Sequence, residues 1–111
     1  MKKEEFDYII CGGGAAGLLL LKAMRADEFF IAKKILLIEK ELKNSDDRTW
    51  SFWETGDGNF NDLLAKKWNH ATFIAPQKRQ DFELTPYQYK MMRSKAFYNK
   101  YFPLESVPHN I

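Results

Sequence analysis

The chain has one cysteine, two histidines and no long uncharged run, and each scarcity excludes something. Cys11 has no partner within the chain, so no internal disulfide can form, which is consistent with a reducing compartment. One cysteine with His70 and His109 far apart gives no metal-ligand spacing, and no metal site is expected. The uncharged stretch from Tyr8 to Leu21 is shorter than the roughly 20 residues a bilayer-spanning helix needs. Lys2 and Lys3 ahead of it imitate a signal peptide, but Glu4, Glu5 and Asp7 interrupt the basic region and three glycines break the apolar one. A cytoplasmic chain is expected. Neither sign of charge dominates, since 17 Lys and Arg face 15 Asp and Glu for a net charge of +2. Nucleic-acid binding would need basic residues clustered on one face, and none is expected. There is no internal repeat or low-complexity stretch.

What is present describes a globular chain: 45% hydrophobic residues, and an aromatic content of 15% that points to burial or to a greasy ligand. At 111 residues it is one domain at most, small for a nucleotide-dependent enzyme that must also enclose a substrate.

The chain is organised around Asp7 to Gly17, DYIICGGGAAG. An apolar strand, Phe6 to Cys11, runs into a glycine turn, and a helix follows from Ala15 to about Asp27. Gly12, Gly14 and Gly17 fit the dinucleotide-binding pattern G-x-G-x-x-G. In that pattern Gly12 permits the tight turn, Gly14 lets the backbone approach a pyrophosphate, and Gly17 lets helix and strand pack closely. N–H groups at the helix start then face the anion. Glycines also mark flexible loops, so the run alone does not decide. Cys11 ends the strand with no basic neighbour and reads as buried packing rather than a nucleophile. In the helix, Gly17, Leu20, Leu21 and Met24 form the apolar stripe, with Lys22 and Arg25 off it.

Ile35 to Ile38 reads as a second strand, and both strands look like parallel strands buried on two faces. Glu39 ends the second one, 22 residues beyond Gly17, where a dinucleotide fold places an acid on the adenosine ribose hydroxyls. A solvated Glu beside Lys40 and Glu41 is the plainer alternative. The fold class expected is α/β: a Rossmann-like βαβ dinucleotide-binding unit over residues 6–39, followed by an aromatic and basic extension over 48–111.

Glu41 to Asp47 reads as a loop, and Arg48 to Glu54, RTWSFWE, as a short aromatic strand. Gly56 and Gly58 mark a turn, and Asn61 to Trp68 reads as a short helix. Ala71 to Ala75 is expected to pair with Gln80 to Leu84 across a basic turn at Lys78 and Arg79. From Leu84 to Leu104 there is no acid, and Lys90, Arg93, Lys95 and Lys100 are interleaved with aromatics. If Ser94 to Phe102 is helical, Phe97, Tyr98, Tyr101 and Phe102 share one face, leaving Lys95, Asn99 and Lys100 elsewhere. That describes a packed helix with a solvated basic side, or a surface for lipid or nucleic acid.

Together DYIICGGGAAGLLL, ILLIEK, DRTWSFWE and PYQYKMMRS resemble the amino-terminal, FAD-binding part of the bacterial lycopene cyclase family, the lycopene β-cyclases. The glycine turn and Glu39 are shared by many flavin-binding folds, including flavin-dependent monooxygenases and dehydrogenases. Thr49 to Ser51 and Tyr87 to Ser94 select the cyclases. The resemblance implies a flavoprotein isomerase of carotenoid biosynthesis. An acid protonates a terminal double bond of lycopene, a neighbouring alkene attacks the cation, and proton loss leaves a β-ionone ring.

It also implies FAD, in its reduced form, with NAD(P)H as reductant. Gly12, Gly13, Gly14, Ala15, Ala16 and Gly17 would hold the pyrophosphate and Glu39 the ribose, with Arg48 close to the cofactor. Thr49, Trp50 and Ser51 would lie near the cofactor or the substrate cavity. The hydrophobic carotenoid implies peripheral membrane association at the inner face. The family's acidic catalytic motif lies downstream of these blocks, and Asp46, Asp47 and Glu54 do not match it. Family members are several times longer, so the resemblance reads this chain as an amino-terminal fragment or truncated reading frame, inactive alone, binding flavin weakly and leaving apolar sheet faces exposed.

Overall fold

A computed structural model describes residues 3–102 as a mixed α/β chain. Leu104 and His109, named above, lie outside the described residues. Two compact units divide them: residues 3–44 with 98–102, and Ser45–Phe97.

In the first unit, strand β1 (Tyr8–Cys11) and strand β2 (Ile35–Ile38) pair in parallel, from Tyr8 opposite Ile35 to Cys11 opposite Ile38. Helix α1 (Ala15–Arg25) connects them. β1 starts later than Phe6 because Asp7 serves the approach to β2: its carboxylate accepts the Lys34 N–H at 2.7 Å. The helix stops before Asp27 because the Asp27 side chain accepts the Phe29 N–H at 2.9 Å and caps a 3-10 turn over Glu28–Phe30.

The core of this unit is Ile10, Leu21, Met24 and Ile35, with Phe30 and Leu37 against it. Gly17, Leu21 and Met24 form the helical stripe as expected, but Leu20 is 52% exposed and Leu18 is fully buried. Those two leucines flank the stripe on opposite sides, so periodicity alone does not choose between them. Two-sided burial of the strands is also corrected. Two strands and one helix cover one sheet face, so Ile9 and Ile38 remain exposed. Cys11 is exposed rather than buried, because alternation turns it away from the face of Ile10.

In the second unit, β3 (Thr49–Thr55), β7 (Tyr87–Arg93) and β4 (Leu64–Trp68) form an antiparallel sheet with β7 central. The expected helix over Asn61 to Trp68 is corrected to a 3-10 turn, Asn61–Leu63, followed by β4. Pairing of Leu64 and Trp68 with Met92 and Tyr89 overrides the helical spacing of the apolar residues. Strands β5 (His70–Ala75) and β6 (Lys78–Glu83) form a separate hairpin. Its turn is at Pro76 and Gln77, not at Lys78 and Arg79, because Ala75 pairs with Lys78 and Gln77 takes a φ of +63°.

Helix α2 (Ser94–Tyr101) follows β7 at once, with its last turn in the first unit. Phe97 and Tyr98 are buried and Tyr101 is half-buried, while Lys95, Asn99 and Lys100 are exposed, as the amphipathic reading anticipated.

Candidate functional site

The glycine turn between β1 and α1 divides its labour among positions. Gly12 has a φ of +108°, a conformation closed to side-chain-bearing residues, and its N–H donates to Ile38 O at 2.7 Å. A Cβ on Gly17 would collide with the Gly12 carbonyl oxygen, so the helix can approach the turn only where that side chain is missing. Gly14 is different. A Cβ there would meet nothing within 4 Å, so no packing within the chain requires a glycine. Gly14 is the N-cap of α1, no side chain caps the helix, and its first turn has no acid. Among the described residues, the N–H groups of Ala15 and Ala16 find no acceptor. A helix start of this kind, with donors and dipole unanswered, suits an anion.

Glu39 is brought to the same turn. Its Oε1 accepts the Gly13 N–H at 3.1 Å and its Oε2 accepts the Glu41 N–H at 3.1 Å. Lys43 Nζ stands 3.8 Å from Oε1, and the side chain is 11% exposed. The Glu41 and Gly13 N–H groups hold the carboxyl below the usual carboxylate range. Partial burial opposes them, and Lys43 and the Lys40 backbone add to the lowering. A carboxylate has about four acceptor positions, so two such bonds leave capacity for hydroxyl donors. Gly13, the extra glycine of the run, is buried, and a methyl group there would lie 3.0 Å from Phe102 Cε2. Nothing in the spacing of the motif announces that contact.

Arg48 stands in the other unit, at the start of a clasp on α2. Its N–H donates to Ser94 Oγ at 2.9 Å, and its carbonyl accepts the Ser94 N–H at 3.0 Å. Ser94 is fully buried. Its hydroxyl lies 2.9 Å from Asp47 Oδ1, and Asp46 accepts the Lys95 N–H at 3.0 Å. Asp46 and Asp47 therefore organise the helix start. The two segments that select the cyclases also meet: β3 pairs along β7, with Trp50 opposite Met92, Ser51 opposite Met91 and Trp53 opposite Tyr89. The Trp50 ring meets Phe97 edge-on at 5.3 Å, which makes it part of the packing between β3 and α2.

The basic segment changes character once folded. Lys90 is fully buried in β7, and its ammonium reaches Glu54 Oε1 at 2.7 Å, Gly56 O at 2.6 Å and Asn61 Oδ1 at 2.9 Å. Three acceptors match three N–H donors. A charge so enclosed cannot belong to a solvated basic surface, and Glu54 is engaged by it. Strand alternation does not distinguish this lysine from an exposed one.

Among the described residues no cluster of His, Cys, Asp or Glu could hold a metal ion, and no helix is long and apolar enough to cross a membrane. A cavity of about 370 Å³ lies beside the last turn of α1, next to Lys22, Arg25 and Tyr101. Its cations are accounted for by the fold. Lys22 and Lys100 lie over the Tyr101 ring at 5.2 and 5.5 Å, and Lys22 and Arg25 complement the carbonyl end of the helix.

The family model for lycopene cyclase proteins matches residues 7–102, which span the glycine turn, Glu39 and both strands of the β3–β7 pair. The chain belongs to the lycopene cyclase family. No curated protein and no solved structure matches it. Membership in the cyclase family supports a function related to lycopene cyclisation and carotenoid biosynthesis.

Proposed function

We infer that the β1–α1–β2 unit is a Rossmann-like dinucleotide-binding unit that holds FAD for a lycopene β-cyclase. The observation that carries this reading is the contrast between Gly17, where a side chain collides with the chain itself, and Gly14, where it meets open space. A glycine that its own fold does not need suits close approach by a ligand. In this reading Gly12 and Gly13 shape the turn, Gly14 and Gly17 leave room beside it, and the N–H groups of Ala15 and Ala16 at the helix start receive the pyrophosphate. Glu39, its charge favoured by its N–H partners, accepts the ribose hydroxyls.

FAD held there and kept reduced by NAD(P)H would supply negative charge near a developing carbocation or a route for a proton. Among the three acids near the aromatic segment, Asp46 and Asp47 hold α2 and Glu54 holds Lys90. The proton donor to lycopene is accordingly not assigned to any of them. A carotenoid dissolves in bilayers, so a cytoplasmic protein working at the inner membrane face fits the substrate.

Titrating the isotope-labelled chain with FAD tests the reading, because amide shifts register even weak binding. Shifts should appear at Gly14, Ala15 and Ala16. Gly14→Val should abolish them while leaving the other amides in place. Shifts confined to the basic aromatic segment would count against the site.

A further inference from the structure

The geometry points to Phe102 as a positioning residue of the dinucleotide site, one that holds the Gly13 peptide against Glu39 so that the glycine turn keeps its shape. This rests on the site proposed above and adds a residue that the glycine motif does not contain. Gly13 is the one glycine of the turn enclosed by side chains. A methyl group on it would lie 3.0 Å from Phe102 Cε2 and 3.1 and 3.2 Å from Glu39 Cβ and Cγ. The phenyl ring and the acid's own methylene groups therefore bound the same small volume, leaving the Gly13 N–H directed at Glu39 Oε1.

A second path leads from the same turn of helix to the same carboxylate. The Phe102 N–H donates to Tyr98 O at 2.8 Å. Lys43 Nζ lies 5.2 Å from the buried Tyr98 ring and 3.8 Å from Glu39 Oε1. The contacts close a ring from Phe102 through Gly13, Glu39, Lys43 and Tyr98 back to Phe102. Glu39 is thus held at one oxygen by two groups, each backed by the end of α2. Phe102 has no polar atom to offer a ligand on its side chain. Its effect runs through the peptide and the acid it confines, since a site works only when its contacting groups are themselves locked by packing.

The test uses the labelled full chain with Phe102→Ala, Phe102→Tyr and Glu39→Ala, reading Gly13 amide exchange and the FAD titration. In Phe102→Ala the Gly13 amide should exchange at least tenfold faster. The FAD dissociation constant should rise about tenfold, the lower end of what loss of an orienting outer group costs at bound-metal sites. Phe102→Tyr should restore both. In the Glu39→Ala background, adding Phe102→Ala should change FAD binding by less than about twofold, because coupled residues share one loss. If Phe102→Ala fails to fold, Phe102→Val, too short to reach Gly13, carries the same expectations.

Unchanged Gly13 exchange in the smaller variants, or independent losses from Phe102 and Glu39, would overturn the inference while leaving the FAD site standing. Absence of any FAD shift in the unmodified chain would overturn both.

Discussion

In the first unit the polar groups that shape the candidate site belong to the backbone, whereas in the second the dominant polar group is a buried side chain. The glycine turn presents N–H groups because Gly12 and Gly17 permit a backbone path that other residues cannot follow. Its support is a core of four buried residues, Ile10, Leu21, Met24 and Ile35. The second unit puts the Lys90 ammonium into the central strand of a sheet and answers it with Glu54, Gly56 and Asn61. One arrangement leaves the Ala15 and Ala16 N–H groups without an acceptor among the described residues, and the other consumes all three ammonium donors internally. The difference separates a turn shaped by backbone geometry from a cage that holds a loop in place.

The sharpest break in the comparison comes from the cage. Glu54→Ala leaves a buried ammonium without its counter-charge and should destabilise the second unit by about 3 kcal/mol, the low end for a broken buried pair because Glu54 keeps some contact with water. Denaturant unfolding followed by tryptophan fluorescence reads this locally, since Trp50, Trp53 and Trp68 all lie in that unit. Glu54→Gln, which keeps an acceptor for Lys90, should lose less. An unmoved midpoint in the alanine variant would show that the cage contributes nothing.

A smaller effect separates two glycines within the first unit. Gly17→Ala drives a methyl group into the Gly12 carbonyl and should cost about 2 kcal/mol, as overpacking does. Gly14→Ala, at an extended N-cap with open space beside it, should cost less than about 1 kcal/mol. Amide exchange at Ile10 and Leu21 measures both, and equal losses would erase the division of roles between the two positions.

The smallest effect expected is that of acid on Glu39. Its carboxyl titrates below the ordinary value of 4.5, so the folded chain binds that proton more weakly than the unfolded one. The stabilisation is present in full above about pH 4.5 and is lost as pH falls below it through the lowered value. The Gly13 amide should therefore lose protection on acidification, and Glu39→Gln should flatten that response. Protection that is constant through this window would mean that the Gly13 bond does not depend on the charge.

Legibility from sequence followed the same division. β1, α1, β2 and the glycine turn are local, and each is set by apolar runs or by glycines at fixed spacing. Their order was readable with small errors at the ends, where the Asp7 and Asp27 side chains decide. Over Leu64 to Trp68 the helical spacing of apolar residues misleads, because β4 is stabilised by residues of β7 that lie more than 20 positions away. Leu20, expected on the stripe, is exposed and Leu18 is buried for a related reason, since a helix reveals its apolar stripe but not which flank its neighbours cover.

The amino-acid order alone therefore determined an α/β chain, a glycine turn with Glu39 at the end of the next strand, and segments characteristic of the lycopene cyclases. Only folding decided that Cys11 faces outward, that Lys90 is enclosed, that the two cyclase-type segments pair as strands, and that Phe102 bears on Gly13. Backbone geometry demands particular residues at particular spacings and so leaves a pattern in the chain. The fate of a charge or an aromatic ring depends on partners brought from far along it, and such contacts leave no pattern until they form.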